Sequence, residues 1–255
     1  MQSLLDHPLL AARYFFPRRE PVSSPFFVTA SDGVSRLACH RSMPYPGALT
    51  LLHFHGNAEV VADYVPAIAT LVNALGVNVV FAEYRGYGGS TGSPSLGAML
   101  DDAEAVFQAM DVSARRVVPF GRSLGSLFAV EIAARHPEVA GLVLESGIAD
   151  VLDRNLVRVT PEDLGASPID FEAAVKERFD QRAKLASYTG PLLVMHTRQD
   201  ALVAASHGER THQWGGAPAA DKTLVMFEEG DHGSIFLVNN DAYLKHLRDF
   251  LRNLD

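Results

Sequence analysis

The sequence predicts an α/β fold, a mostly parallel sheet of about eight strands with helices on both faces, and three observations carry that reading. Apolar runs rich in Val, Leu and Phe recur along the chain, stretches of helical periodicity separate them, and a strand-turn-strand signal precedes the alternation. Strands that read as continuous apolar runs are buried on both faces. The intervening helices supply the cover and the crossovers that parallel pairing requires.

Residues 3–16 have the pattern of a short amphipathic helix, with Leu4, Leu5, Leu9, Leu10, Phe15 and Phe16 on its apolar side, and the Pro17 to Pro25 stretch ends it. This N-terminal arm, residues 1–25, is read either as a segment packed on the domain or as a mobile flap or lipid-facing segment. Phe26 to Ala30 and Val34 to His40 flank Ser31-Asp32-Gly33, and Asp-Gly between two such runs marks a hairpin.

From Leu49 onward, strands are expected at Leu49 to His55, Val77 to Tyr84, Arg116 to Phe120, Val139 to Glu145, Leu192 to His196 and Thr223 to Phe227. Helices are expected at Ala58 to Leu75, Leu96 to Met110, Leu124 to Arg135, Val203 to Trp214 and Asp241 to Leu254. Between Ser146 and Tyr188 the chain turns polar and is broken by Pro161 and Pro168, with one helix expected near Phe171 to Leu185. A connection of that length is uncommon, so residues from about 147 to 188 are read as a cap insertion over the carboxyl ends of the strands. Arm and cap included, residues 1–255 are read as a single domain, and Gly215 to Ala220 reads as a surface loop.

The bulk properties exclude several classes. A chain of 255 residues that is 47% hydrophobic builds a sizeable core. Its formal net charge of −8 and its scattered Arg pairs leave no basic stripe for nucleic acid. No apolar run approaches the roughly 20 residues of a membrane span, and Asp6 and His7 stand where a secretory leader needs basic residues. One cysteine, Cys39, precludes an internal disulfide, which suits a reducing, cytoplasmic setting.

The most informative string is Gly121-Arg122-Ser123-Leu124-Gly125, placed where the strand ending at Phe120 must turn into a helix. That context describes a nucleophile elbow, in which glycines leave room for a tight backbone that holds the serine hydroxyl clear of both elements. Gly88-Gly89-Ser90-Thr91-Gly92 matches the same pattern, but Arg85-Gly86-Tyr87 precedes it and Ser93-Pro94-Ser95 follows. No strand or helix abuts Ser90. It is read as a loop serine.

A serine hydroxyl needs a base within hydrogen-bond reach, and the base needs an orienting carboxylate. In an open α/β sheet such groups project from loops beyond the carboxyl ends of strands. Asp200 occupies such a loop after Leu192 to His196, and His232 occupies one after Thr223 to Phe227. Glu145, at a strand end, is the rival for the acid role. Asp231 is adjacent to His232 in sequence, and neighbours seldom face one another.

The order Ser, Asp, His together with the elbow resembles the α/β-hydrolase superfamily. Three strings carry the resemblance: His53-Phe54-His55-Gly56-Asn57-Ala58-Glu59, Tyr84-Arg85-Gly86-Tyr87-Gly88-Gly89-Ser90, and the elbow itself. It covers nearly the whole chain from Phe26 and is similar to the Bem46-like and ABHD-type esterases and depalmitoylases. The His-Gly-Asn string also has its own physical meaning. Ending a strand and opening a helix, it points the Asn57 backbone N–H at the space above Ser123, where with the Leu124 N–H it would hold an oxyanion.

The expected activity is hydrolysis of a small-molecule carboxylic ester or thioester through an acyl-enzyme, with Ser123, His232 and Asp200 as the catalytic residues and no cofactor. The alternatives are an amidase or peptidase on the same fold, and a non-catalytic binding protein. His53 and His55 alternate like a zinc pair, but no Cys or acid completes a ligand set. Arg122 is read as an anchor of the turn paired with a loop acid, with contact to an anionic substrate as the alternative, Glu83 as a buried ion-pair partner within Glu83-Tyr84-Arg85, Trp214 as a packing or surface residue, and Pro119 as marking a bulge or irregular end in the strand before the elbow.

Overall fold

The computed structural model describes residues 3–152 and 159–254. Strand β1 (Phe26–Thr29) and strand β2 (Arg36–Ser42) form an antiparallel hairpin, with Gly33 at φ +72° in the turn. Strands β3 (Thr50–Phe54), β4 (Asn78–Ala82), β5 (Val117–Arg122), β6 (Leu142–Glu145), β7 (Leu192–Thr197) and β8 (Lys222–Phe227) follow in the predicted order. Among the described residues these form one eight-stranded sheet, β1-β2-β4-β3-β5-β6-β7-β8, parallel from β4 onward. It is the mostly parallel sheet that the apolar runs predicted.

Alternation along the strands divides the core in two. Leu52, Phe54, Val80, Ala82, Leu144 and Val194 face one layer, which includes helix α3 (Ala98–Ala109) and helix α4 (Gly125–Arg135). Leu51, Val79, Phe81, Val118, Phe120 and Met195 face the other, with helix α2 (Ala67–Asn73) and the C-terminal helix α9 (Asn240–Arg252). Helix α9 is held there because Tyr243, Leu247 and Leu251, four residues apart, form its buried stripe.

Other boundaries moved for local reasons. The helix expected over 58–75 breaks into a 3₁₀ turn, Val61–Asp63, and α2, since Pro66 has no N–H to extend a helix through it. Strand β5 runs two residues past Phe120, and Pro119 pairs in register with Leu52 without a bulge, contrary to the irregularity expected there. Val117 O accepts from Ala140 N and Ser123 N donates to Glu145 O, so the odd residues of β5 bond toward β6. The missing N–H of Pro119 therefore faces β6, whose strand pairing with β5 begins only at Phe120 and Val143.

The N-terminal arm carries helix α1 (Pro8–Tyr14) and buries Leu5, Leu10, Tyr14 and Phe15, while Phe16 is 43% exposed. Residues 153–158 of the expected cap lie outside the described residues. The remainder of that segment contains helix α5 (Pro168–Phe179) and helix α6 (Gln181–Ser187) rather than one helix, because Asp180 interrupts them and caps the second through Ala183 N. Arg13 of α1 pairs with Asp163 at 2.7 Å, joining the arm to this segment. Helix α7 (Ala205–Trp214) lies between β7 and β8, with Trp214 half-buried against Arg210. A one-turn helix α8 (Ile235–Val238), which sequence patterning did not predict, follows the β8 loop.

Candidate active site

The elbow forms where β5 meets α4. Ser123 has φ +50°, a left-handed conformation that costs a non-glycine residue energy and persists only under tight surroundings. The two flanking glycines explain how it is tolerated. A Cβ on Gly121 would stand 2.4 Å from Ser126 Cα, and one on Gly125 would stand 2.0 Å from Phe54 O. Strand and helix can pack this closely only because both positions lack side chains.

His232 reaches Ser123 from the loop after β8, its Nε2 lying 2.9 Å from Ser123 Oγ. Its Nδ1 lies 2.7 Å from Asp200 Oδ2. Asp200 is buried in the loop after β7, and its Oδ1 accepts from Leu202 N at 3.0 Å and Val203 N at 2.7 Å. Burial pushes its pKa up, but His196, His232 and the Val203 N–H more than offset that, leaving it well below the usual carboxylate range. An ionised Asp200 holds the His232 ring with its other nitrogen toward Ser123.

The backbone N–H groups of Leu124 and Asn57 have no hydrogen-bond acceptor among the described residues. Leu124 is the N-cap of α4, where an orphan N–H is normal. The Asn57 side chain is committed elsewhere: Nδ2 donates to Tyr14 O at 2.6 Å, while Oδ1 accepts from Tyr87 Oη at 2.7 Å and Phe16 N at 3.0 Å. The N-terminal arm thus clamps the His-Gly-Asn loop, in which Ala58 also has positive φ, +64°.

Arg122 connects the two loops. Its Nε donates to Glu59 Oε1 at 2.8 Å, its Nη1 to Glu145 Oε1 at 2.5 Å, and its Nη2 to His232 O at 3.1 Å. Glu59 Oε2 in turn accepts from Gly56 N at 2.7 Å and Tyr64 Oη at 2.6 Å, and Glu145 Oε2 accepts from Tyr243 Oη. Glu145 is fully occupied here. It is Asp200, not Glu145, that the structure brings to the histidine.

The other singled-out residues have local partners. Ser90 Oγ accepts from Ala38 N at 2.9 Å, fastening its loop to β2. Asp231 Oδ1 accepts from Gly233 N and Ser234 N, turning the chain after His232. Glu83 does not pair with Arg85, contrary to the expectation. It bonds His55 Nε2 at 2.8 Å, whereas Arg85, itself buried, pairs with Asp102 of α3 and, at 3.2 Å, with Asp32 of the hairpin turn. His55 Nδ1 also donates to Gly56 O, and although burial lowers its pKa, the Glu83 charge raises it above the usual histidine value. His53 packs among Tyr64, Phe81 and Phe120, where burial drives it down to about 3.

Sequence reasoning missed Glu59, Tyr64, Tyr243 and His196 as supporting residues. Glu59, three residues after Gly56, carried the one available signal, an acid placed to cap a loop N–H.

Residues 47–163 match the family described as serine aminopeptidase, S33. The chain is 28% identical over 237 residues to the alpha/beta hydrolase domain-containing protein WAV2 of Arabidopsis thaliana, covering 88% of this chain and 77% of that protein. It is 28% identical over 245 residues to the alpha/beta hydrolase domain-containing protein 17C of Homo sapiens, covering 94% of this chain and 69% of that one. Among solved structures, the Pyrococcus furiosus esterase Pf2001 superposes with a TM-score of 0.72 at 17% identity, covering 93% of this chain and 98% of that chain. Est1E from Butyrivibrio proteoclasticus, with ferulic acid bound, gives 0.73 at 18% identity, covering 90% and 98%.

Proposed function

We propose that this chain, an α/β hydrolase of ABHD-like type by fold and sequence kinship, cleaves carboxylic esters or thioesters of small molecules through an acyl-enzyme on Ser123. The observation that carries the reading is the position of His232, within hydrogen-bond distance of Ser123 Oγ on one side and of Asp200 on the other. The two esterase neighbours favour an acyl substrate, and the relatives named for an alpha/beta hydrolase domain favour hydrolysis.

The steps follow from the geometry. His232 Nε2 takes the Ser123 proton as Oγ attacks the substrate carbonyl, and the imidazolium that forms is stabilised by ionised Asp200. The new oxyanion accepts hydrogen bonds from the Leu124 and Asn57 N–H groups, donors of a kind worth roughly 2.7–4 kcal/mol each. His232 then protonates the departing alcohol or thiol. A water that loses its proton to the same nitrogen attacks the acyl carbon, releasing the acid and restoring Ser123. On this reading the described residues of the segment from about 147 to 188, outside 153–158, form a cap that shapes access to the serine.

The test is labelling with a fluorophosphonate at neutral pH, together with turnover of p-nitrophenyl acyl esters. Ser123→Ala is expected to abolish both and Ser90→Ala to leave both intact; the reverse pattern would reject Ser123 as the nucleophile. A peptidase name for the matched family makes matched amides the necessary comparison. Faster turnover of amides than of esters would transfer the reading to an amidase.

A further inference from the structure

A cavity of about 370 Å³ opens on the face of the sheet behind the elbow, between α2 and α9. Its floor is His53, Phe81 and Phe120 on three adjacent strands, and its walls include Ile68 and Leu71 of α2 and Leu244 of α9. The volume lies within the roughly 300–1,000 Å³ common to small-molecule sites. Leu71 is 37% exposed and Leu237 is 77% exposed, so the mouth is apolar as well. Ser123, Asp200 and His232 do not line it.

The polar groups in its wall decide what fits. Arg122, Glu59 and Glu145 close the end nearest the elbow, but each is already paired with the others, with Tyr64 and Tyr243, or with backbone groups. Asp63 is paired with Arg18 at 2.7 Å. One positive charge against two negative charges in the closed end repels a carboxylate, while an ammonium group would leave water for an end that already holds Arg122 and where each oxygen of Glu59 and Glu145 already accepts a hydrogen bond. The remaining polar wall group is His53, a neutral imidazole whose buried Nδ1 has no hydrogen-bond partner among the described residues.

The geometry points to a second ligand site in this cavity, one that takes an uncharged, mainly apolar small molecule with a single hydroxyl or amine-type N–H. It is independent of the chemistry at Ser123. Occupancy removes apolar side chains of both helices and the ligand from water together, the usual driving force for such sites.

Fluorescence titration of the full chain with N-phenyl-1-naphthylamine tests this, repeated on protein whose Ser123 carries a fluorophosphonate adduct. Saturable binding of one equivalent is expected in both forms. Decanol should displace the probe at least tenfold more effectively than decanoate or decylammonium. Leu71→Trp, at the half-exposed rim, and Leu244→Trp, on the opposite wall, should each weaken binding at least tenfold with the melting temperature held within a few degrees. The inference is overturned if binding is not saturable, if the adduct abolishes it, if both variants bind as the parent does, or if decanoate competes as well as decanol. It is also overturned if sedimentation shows a second copy of the chain covering Leu71 and excluding the probe. None of these outcomes depends on ester turnover.

Discussion

Replacing Arg122 with methionine keeps much of the side-chain volume and removes the cation that holds the buried Glu145 carboxylate, the half-buried Glu59 carboxylate and the His232 carbonyl. Removing one partner of a buried ion pair typically costs about 3–5 kcal/mol, because the other charge stays buried without compensation. At roughly 2–4 °C per kcal/mol for a domain of this size, the melting temperature should fall by about 6–20 °C. The acid limb gives a sharper signature. Burial raises the Glu59 pKa, yet Arg122, Tyr64 and the Gly56 N–H bring it from 4.5 to about 2. That depression corresponds to roughly 3 kcal/mol of stability, fully present above pH 4.5 and lost as pH falls toward 2.

Without Arg122 the burial contribution loses its main opponent, and the Glu59 pKa moves upward. If it passes the unfolded value, the folded state binds the proton more tightly than the unfolded chain, and stability falls as pH rises through that interval. Thermal unfolding of parent and Arg122→Met between pH 3 and 7 measures this. The parent should gain stability across pH 3 to 5, and the variant should gain little or lose some. Adding Glu59→Gln to the variant should recover part of the loss. A fall in melting temperature under about 2 °C, or an acid limb that overlays the parent's, would refute the network as a source of stability. At a temperature where the variant is folded, displacement of His232 is expected to lower kcat by up to about 100-fold.

Asp200→Asn keeps the shape of its loop but favours the wrong His232 tautomer, so kcat should fall by roughly 10⁴ while the corresponding Glu145→Gln change costs far less; equal losses in kinetic assays would disprove the assignment of the acid. Asn57→Ala deletes the clamp to Tyr14 and Phe16 without removing the Asn57 backbone N–H. Its expected result is a stability loss of about 1–3 kcal/mol by denaturant titration and a lower kcat at unchanged KM, and a variant that loses stability with kcat intact would show that the arm does not position the loop. Gly125→Ala drives a Cβ to within 2.0 Å of the Phe54 carbonyl, a backbone atom that cannot swing aside. Soluble, two-state protein within about 2 °C of the parent would contradict that packing.

Alternating apolar runs, the Asp32-Gly33 hairpin turn and the strand-to-helix setting of Ser123 were readable because each is local. Backbone geometry and side-chain period dictate them within a few residues, and they determine the sheet, its crossovers and the end of it from which Asp200 and His232 project. The same locality explains the misreadings. Pro119 looked disruptive because the sequence does not say which way a missing N–H points or where the neighbouring strand begins. Glu83 and Arg85 looked like partners because they are close in sequence, whereas the fold sends them to His55 and Asp102.

What only the tertiary structure decided is the choice among equivalent acids and the scaffold beneath them. Asp200 and Glu145 both follow parallel strands. Their roles part because Arg122 and Tyr243, from two separate segments, converge on Glu145 and leave Asp200 to His232. Charges brought together across tens of residues interact through space in a buried, low-dielectric setting, and no periodicity along the chain records that distance. The sequence by itself placed Ser123, Glu145, Asp200 and His232 at one end of the sheet, and folding determined which of them face each other and which residues, Glu59, Tyr64 and Tyr243 among them, lie beneath.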